Sequence, residues 1–204
     1  MSVIKGGASA ESWDSIYRDE ESPGWNVGTV TPVLQELLPK LTERLEHDRK
    51  RKLFVPGCGF GHDAAWLSKQ GFIVEASDFS QLAVGQAKSN YGSCDNLSIN
   101  QADVFSETGV YDVVFEHTFF CAIPIELREQ WVEKCLGLLK PNGYYFGVFH
   151  KVNLETPDGP PHSVNDEEIK TLFGKKFEFI RYEYSKHSLS SRMGVEKEFI
   201  FKKL

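Results

Sequence analysis

The sequence predicts an α/β fold: a doubly wound, mostly parallel sheet of seven strands, closed by a C-terminal antiparallel hairpin. Three observations carry this. First, Lys52-Leu53-Phe54-Val55 is short, apolar and β-branched at its end. It passes through Pro56-Gly57-Cys58-Gly59-Phe60-Gly61-His62-Asp63 into Ala64, Ala65, Trp66 and Leu67 at helical spacing. Second, strand and helix signals alternate from residue 52 to residue 149. Apolar strands separated by helices belong to a parallel sheet covered on both faces, the Rossmann-like arrangement. Third, the chain ends in two strand patterns joined by a polar loop with no helix between them, as antiparallel neighbours require.

The totals agree with one such domain. At 204 residues and 41% hydrophobic content, the chain suits a single unit over 1–204, with 11–47 as an N-terminal lid and helix segment. A charged fraction of 25% argues against wholesale disorder, and a net charge of −6 against a broad nucleic-acid surface. There is no apolar run of membrane-spanning length, and Met1-Ser2-Val3-Ile4-Lys5-Gly6 lacks the apolar core of a signal peptide. Cys58, Cys94, Cys121 and Cys135 are scattered, without a C-x-x-C pair or a histidine at zinc-ligand spacing. Reduced thiols, no bound metal, no membrane and a cytoplasmic location are therefore expected.

Taken in order, residues 1–10 are small and polar, and a mobile segment is expected there. From Glu11 a helix brings Trp13, Ile16 and Tyr17 to one face. It leads into the turn-rich Ser22-Pro23-Gly24-Trp25-Asn26-Val27-Gly28; its rings either dock on the core or form a lid over a pocket. Thr31 and Pro32 are placed as N-cap and first helical residue. Val33, Leu34, Leu37, Leu38, Leu41 and Leu45 keep an apolar face, with Pro39 expected to kink or divide the helix. Arg49-Lys50-Arg51-Lys52 reads as a solvated connector. A second strand spans Phe72–Ala76 and ends near Asp78, and Ser80 caps a helix through Ala87. A third strand covers Leu97–Asn100, a fourth Tyr111–Glu116. A helix over Glu126–Leu139 and a turn at Pro141-Asn142-Gly143 lead into a fifth strand, Tyr144–Phe149. Ser163-Val164-Asn165-Asp166 opens a helix to Phe173, in the manner of a capping box. Strands over Phe177–Tyr184 and Val195–Lys202 finish the chain.

Function is expected at the carboxyl ends of the strands, where doubly wound sheets bind ligands. The glycine loop lets backbone N–H groups approach an anion or a carboxylate, although taken alone it is also an ordinary glycine-rich turn. Asp78, Asp103 and Glu116 follow the second, third and fourth strands. Asp78 lies 21 residues after Gly57, close to the ~20 expected of a ribose-binding carboxylate. A carboxylate near an adenine can accept from its exocyclic amine; for Asp103, helix capping is the alternative role. These features fit either a nicotinamide or an adenosyl-sulfonium cofactor.

Pro56-Gly-Cys-Gly-x-Gly-x-Asp63, Asp78 with Ser80, and Phe119-Phe120-Cys121-Ala122-Ile123 resemble the thiopurine and thiol S-methyltransferase superfamily. Trp13-x-x-x-Tyr17, Pro23-Gly-Trp25-Asn-x-Gly28 and Gly159-Pro160-Pro161-His162-x-Val164 resemble its thiol, halide and thiocyanate branch. The likeness runs over about residues 11–203. It implies a class I methyltransferase fold and S-adenosylmethionine as cofactor, with S-adenosylhomocysteine as product. It also implies a binding set: Trp13, Tyr17 and Trp25 around the cofactor; Gly57 with Cys58 and Gly59; Asp78 with Phe79 at the ribose; Asp103 and Val104 at the adenine; and His117. Relatives carry an aromatic, usually tyrosine, where His117 stands, and Gly24 sets Trp25 one residue further from Tyr17 than their usual spacing.

The chemistry of the residues agrees. Electron-rich rings around a sulfonium are worth roughly 0.5–2 kcal/mol each, and near-attack positioning supplies about 7–11 kcal/mol. A soft nucleophile needs little activation; a thiol with pKa near ~8.5 gains from a nearby base or cation. Candidate catalytic residues are His117 and His162, with His150 a further histidine of the same kind. The expected reaction is methyl transfer to a small thiol, sulfide, thiocyanate or halide, and a monomer is compatible with it. The alternatives are an N- or O-methyltransferase of the same fold, a NAD-dependent oxidoreductase, or a binding module without turnover. The third glycine comes one residue early for the oxidoreductase turn. Glu116-His117-Thr118-Phe119 lacks the Asn/Asp-Pro-Pro-Tyr pattern of base and glutamine methylation.

Overall fold

A computed structural model describes residues 9–19, 24–46, 50–151 and 160–204. Ser22, Pro23, Arg49 and Gly159, along with the N-terminal segment, fall outside those residues. Two helices come first, α1 (Ala10–Asp19) and α2 (Pro32–Thr42). Then β1 (Lys52–Pro56), α3 (His62–Lys69), β2 (Ile73–Asp78), α4 (Gln81–Tyr91), β3 (Leu97–Gln101) and β4 (Tyr111–His117) alternate. The chain continues through α5 (Arg128–Leu138), β5 (Leu139–His150), α6 (Asp166–Phe173), β6 (Phe177–Tyr184) and β7 (Glu196–Lys203).

The strands form one seven-stranded sheet in the order β3-β2-β1-β4-β5-β7-β6. β1 to β5 are parallel and β7 runs antiparallel to both β5 and β6. The winding direction reverses between β1 and β4, which opens a crevice at their carboxyl ends.

Alternation along each strand builds a core on each face. Leu53, Val55, Val113, Phe115 and Phe146 meet Leu34, Leu37 and Leu41 of α2, Leu67 of α3 and Val84 of α4 on one face. Phe54, Val114, Tyr145, Phe149, Phe199 and Phe201 meet Trp131 and Cys135 of α5 and Phe173 of α6 on the other.

The element order follows the sequence, and the departures are local. α2 passes Pro39 and ends at Thr42, so Leu45 packs on the core from beyond the helix. Thr31 occupies the N-cap position without a side-chain cap bond. Ser80 does cap α4, its Oγ accepting from Ala83 N–H at 3.1 Å. α6 is capped by Asn165, whose Oδ1 accepts from Glu168 N–H at 2.9 Å. The Glu168 carboxylate is taken by Arg128 instead of closing a capping box. A turn at Ile125–Leu127 replaces the predicted first turn of α5. β5 starts at Leu139, before the predicted turn: Tyr111 pairs with Leu139 and Val113 with Tyr144, so Pro141-Asn142-Gly143 loops out within the strand, Asn142 at φ 60°. β7 is no edge strand: it lies between β5 and β6 and is buried on both faces from Glu196 to Phe201.

Candidate active site

The loop after β1 is shaped by glycines. Gly57, Gly59 and Gly61 have φ of 57°, 52° and 80°, in the left-handed region that side chains avoid. At Gly57 there is also no room: a Cβ would stand 2.5 Å from Cδ2 of Phe119. Cys58 N–H donates to Ser77 O at 2.9 Å, which ties the loop to the end of β2. There Asp78 receives Gly59 N–H on Oδ2 at 2.8 Å and Ser80 N–H on Oδ1 at 3.0 Å. A carboxylate has about four acceptor sites in all, so it can still accept from a ligand. Burial pushes the Asp78 carboxyl above its ordinary value, against the pull of these N–H groups.

These groups line one cavity of about 630 Å³ at the carboxyl ends of the strands. Every residue expected to bind cofactor is on its wall: Trp13, Tyr17, Trp25, Gly57, Cys58, Gly59, Asp78, Phe79, Asp103, Val104 and His117. Asp103 does cap a turn, the alternative role foreseen for it. It lines the wall, and its Oδ1 accepts Phe105 N–H at 2.9 Å to cap the turn Val104–Ser106. Burial, then the nearby Asp78, raises the Cys58 thiol, so it stays protonated.

The aromatic residues form a wall of their own. Trp13 and Tyr17 stand one turn apart on α1, with ring centroids 6.5 Å apart. Trp25 meets Trp13 edge-on at 5.7 Å, and its Nε1–H donates to the Tyr17 hydroxyl at 3.3 Å. Phe60 completes the group, 5.2 Å from Tyr17. It was not among the expected site residues, although an aromatic inside a glycine loop was a visible signal. α1 is fastened to α4 by Asp14, whose Oδ1 accepts from the Ser80 hydroxyl and from Leu82 N–H.

The far end of the cavity is polar. His117, at the end of β4, has Nδ1 3.3 Å from Asp63 Oδ2 and Nε2 3.6 Å from Glu196 Oε1. Burial lowers its pKa, but the two carboxylates more than offset that and hold it at about 9. Arg192 lines the same end; it was not singled out in the sequence, and a lone arginine in a polar hairpin loop offers no signal. Its Nη1 reaches Glu196 Oε1 at 3.1 Å and His117 Nε2 at 3.2 Å. His150, at the end of β5, also lines the wall; its Nδ1 is buried with no hydrogen-bond partner among the described residues, and burial lowers its pKa.

His162, the other candidate base, is not brought to this wall. The segment carrying it is pinned by its backbone. His162 N–H donates to Cys121 O at 2.6 Å, and Arg128 donates to Ser163 O at 2.8 Å. Glu116 turns away too: fully buried, it accepts Phe119 and Phe120 N–H on Oε2 at 2.8 and 3.1 Å, setting the Phe119 ring over Gly57.

The fold has solved counterparts. Magnesium protoporphyrin IX methyltransferase from Synechocystis PCC 6803 superposes with a TM-score of 0.71 at 16% identity, over 98% of this chain and 100% of that one. Sheet order and glycine loop together give the fold of the class I S-adenosylmethionine-dependent methyltransferases. Within that class, the thiopurine S-methyltransferase family model matches residues 8–201, and the chain belongs to this family. Thiocyanate methyltransferase 1 from Arabidopsis thaliana is 32% identical over 200 residues, 94% of this chain and 84% of that protein. Thiopurine S-methyltransferase from Vibrio parahaemolyticus is 31% identical over 179 residues, covering 80% and 81%.

Proposed function

We propose that this enzyme transfers a methyl group from S-adenosylmethionine to a small soft nucleophile: a thiol, sulfide, thiocyanate or halide. The observation that carries the reading is a single cavity with the Gly57 loop and Asp78 at one side and the rings of Trp13, Tyr17 and Trp25 around it. When bound, S-adenosylmethionine supplies a methyl group made electrophilic by its sulfonium charge.

The chain's residues divide the remaining work. Asp78 accepts from the ribose hydroxyls, with Phe79 beside it, and Asp103 and Val104 serve the adenine. Gly57, Cys58 and Gly59 bring backbone to the amino-acid end. Trp13, Tyr17 and Trp25 present ring faces to positive charge, worth roughly 0.5–2 kcal/mol each, and exclude water. The acceptor belongs at the polar end, beside His150, Pro160 and Arg192. A thiolate, thiocyanate or iodide is nucleophilic as it arrives, so this end has to orient it and need not deprotonate it. We place the protein in the cytoplasm, in keeping with four cysteines that are all free.

A panel of thiols, sulfide, thiocyanate and iodide with a radiolabelled methyl donor tests the assignment. Label should pass to at least one of them. Transfer to none, in protein that binds S-adenosylhomocysteine, would refute the acceptor class and leave the cofactor.

A further inference from the structure

The loop 24–31 leaves the aromatic wall and enters α2, and both of its ends run to one histidine. At its start, Gly24 O accepts from Arg192 Nη2 at 2.8 Å. At its finish, Thr31 N–H donates to Asp63 Oδ1 at 2.7 Å. His117 stands between these two clamps. Its Nδ1 is 3.3 Å from the other oxygen of Asp63, and its Nε2 is 3.6 Å from Glu196 Oε1, the oxygen that Arg192 Nη1 meets at 3.1 Å. Between the clamps, Trp25, Asn26, Val27 and Thr29 line the cavity.

We infer that His117 is a positioning residue that joins the Arg192 clamp to the Asp63 clamp and so holds the Trp25 loop over the cavity. A general base needs one nitrogen open to the acceptor, and here each faces a charged side chain. Asp63 and Glu196 approach the imidazole from α3 and β7, and Arg192 from the β6–β7 connection. Removing the ring would leave two carboxylates facing a void with only Arg192 between them. A buried network that loses a member loses more than one bond, because the remaining groups are desolvated and no longer held in place. The two clamps therefore loosen together. The inference rests on the methyl-donor reading only for what the cavity takes; the latch belongs to the ligand-free protein.

Amide hydrogen exchange of ligand-free protein, resolved over 24–31, reads the latch, and calorimetry with S-adenosylhomocysteine reads the site. His117→Ala should speed exchange at both ends of the loop by about tenfold while β1 and β2 keep their protection. It should weaken S-adenosylhomocysteine by a similar factor, and His117→Asn should restore part of both. Arg192→Gln decides the bridge even where His117→Ala fails to fold. Faster exchange at Thr31, a residue Arg192 does not touch, supports the linkage; a change confined to the Gly24 end overturns it. Unchanged exchange over 24–31 in folded His117→Ala also overturns it. Wild-type protein that ignores S-adenosylhomocysteine would refute the cofactor reading, with the exchange result still judging the latch.

Discussion

The two sides of the cavity are built differently. At the Gly57–Asp78 side, backbone N–H groups hold the carboxylate and partners lie close in sequence or on adjacent strands: Gly59 and Asp78 are 19 positions apart, Ser80 and Asp78 two. At the His117 side, side chains do it across long intervals, 75 positions from His117 to Arg192 and 168 from Arg192 to Gly24. Local backbone geometry fixes the first as soon as β1 and β2 pair. The second exists only when the loop 24–31, α3, β4 and the C-terminal hairpin have all arrived. One side is a rigid seat; the other can be altered piece by piece.

Substitutions should expose that contrast, beginning with the seat. Gly57→Ala puts a methyl into the Phe119 ring at a backbone angle alanine resists, and should cost cofactor binding at least about 3 kcal/mol, over a hundredfold. Calorimetry with S-adenosylhomocysteine measures this; retained affinity would mean that Phe119 yields. Asp78→Ala removes an acceptor without distorting the loop, and a loss of about 1.5–3 kcal/mol is expected in the same titration.

Glu116→Gln probes the wall between the two sides through pH. Burial holds the Glu116 carboxyl at about 7, above its ordinary value, so the folded state keeps a proton that the unfolded chain has released. Stability therefore falls as pH rises from about 4.5 through 7. His117, also raised, adds a second fall from about 6.5 through 9. Glutamine can still accept the Phe119 and Phe120 N–H groups but does not titrate. Denaturant melts of Glu116→Gln should keep the upper window and lose the lower one, a difference of up to about 3 kcal/mol at pH 8. An unchanged lower window would assign it to other groups. Asp14→Ala should have the smallest effect, about 0.5–1 kcal/mol, because it removes a cap shared with Ser80; a thermal melt reads it.

The sequence was legible where structure is local. The strand–glycine–helix unit, the acid after β2, the Ser80 cap and the one-turn spacing of Trp13 and Tyr17 all carry their geometry in a few adjacent residues. The apolar alternation also placed the strands of the sheet. What stayed hidden needed strand order. Nothing in Glu196-Lys197-Glu198 says that β7 is an interior strand, since charged residues on a last strand suit an exposed edge equally well. They are buried because Glu196 pairs with Arg192, Lys197 with Asp166, and Glu198 with Lys40 and Arg181. Arg192 and the latch it forms were invisible for the same reason. The surroundings of His162 were equally hidden, because Arg128, which meets its carbonyl at 3.5 Å, lies 34 positions away.

The segment between β5 and α6 has a consequence of another kind. Its two ends are tied through the main chain, Lys151 N–H to Val195 O and His162 N–H to Cys121 O, both at 2.6 Å. Main-chain ties do not read side chains. The side chains of Lys151 and His162 can thus be exchanged without removing either tie. A variant at either residue therefore tests what its side chain does, with the main-chain path into and out of the segment kept.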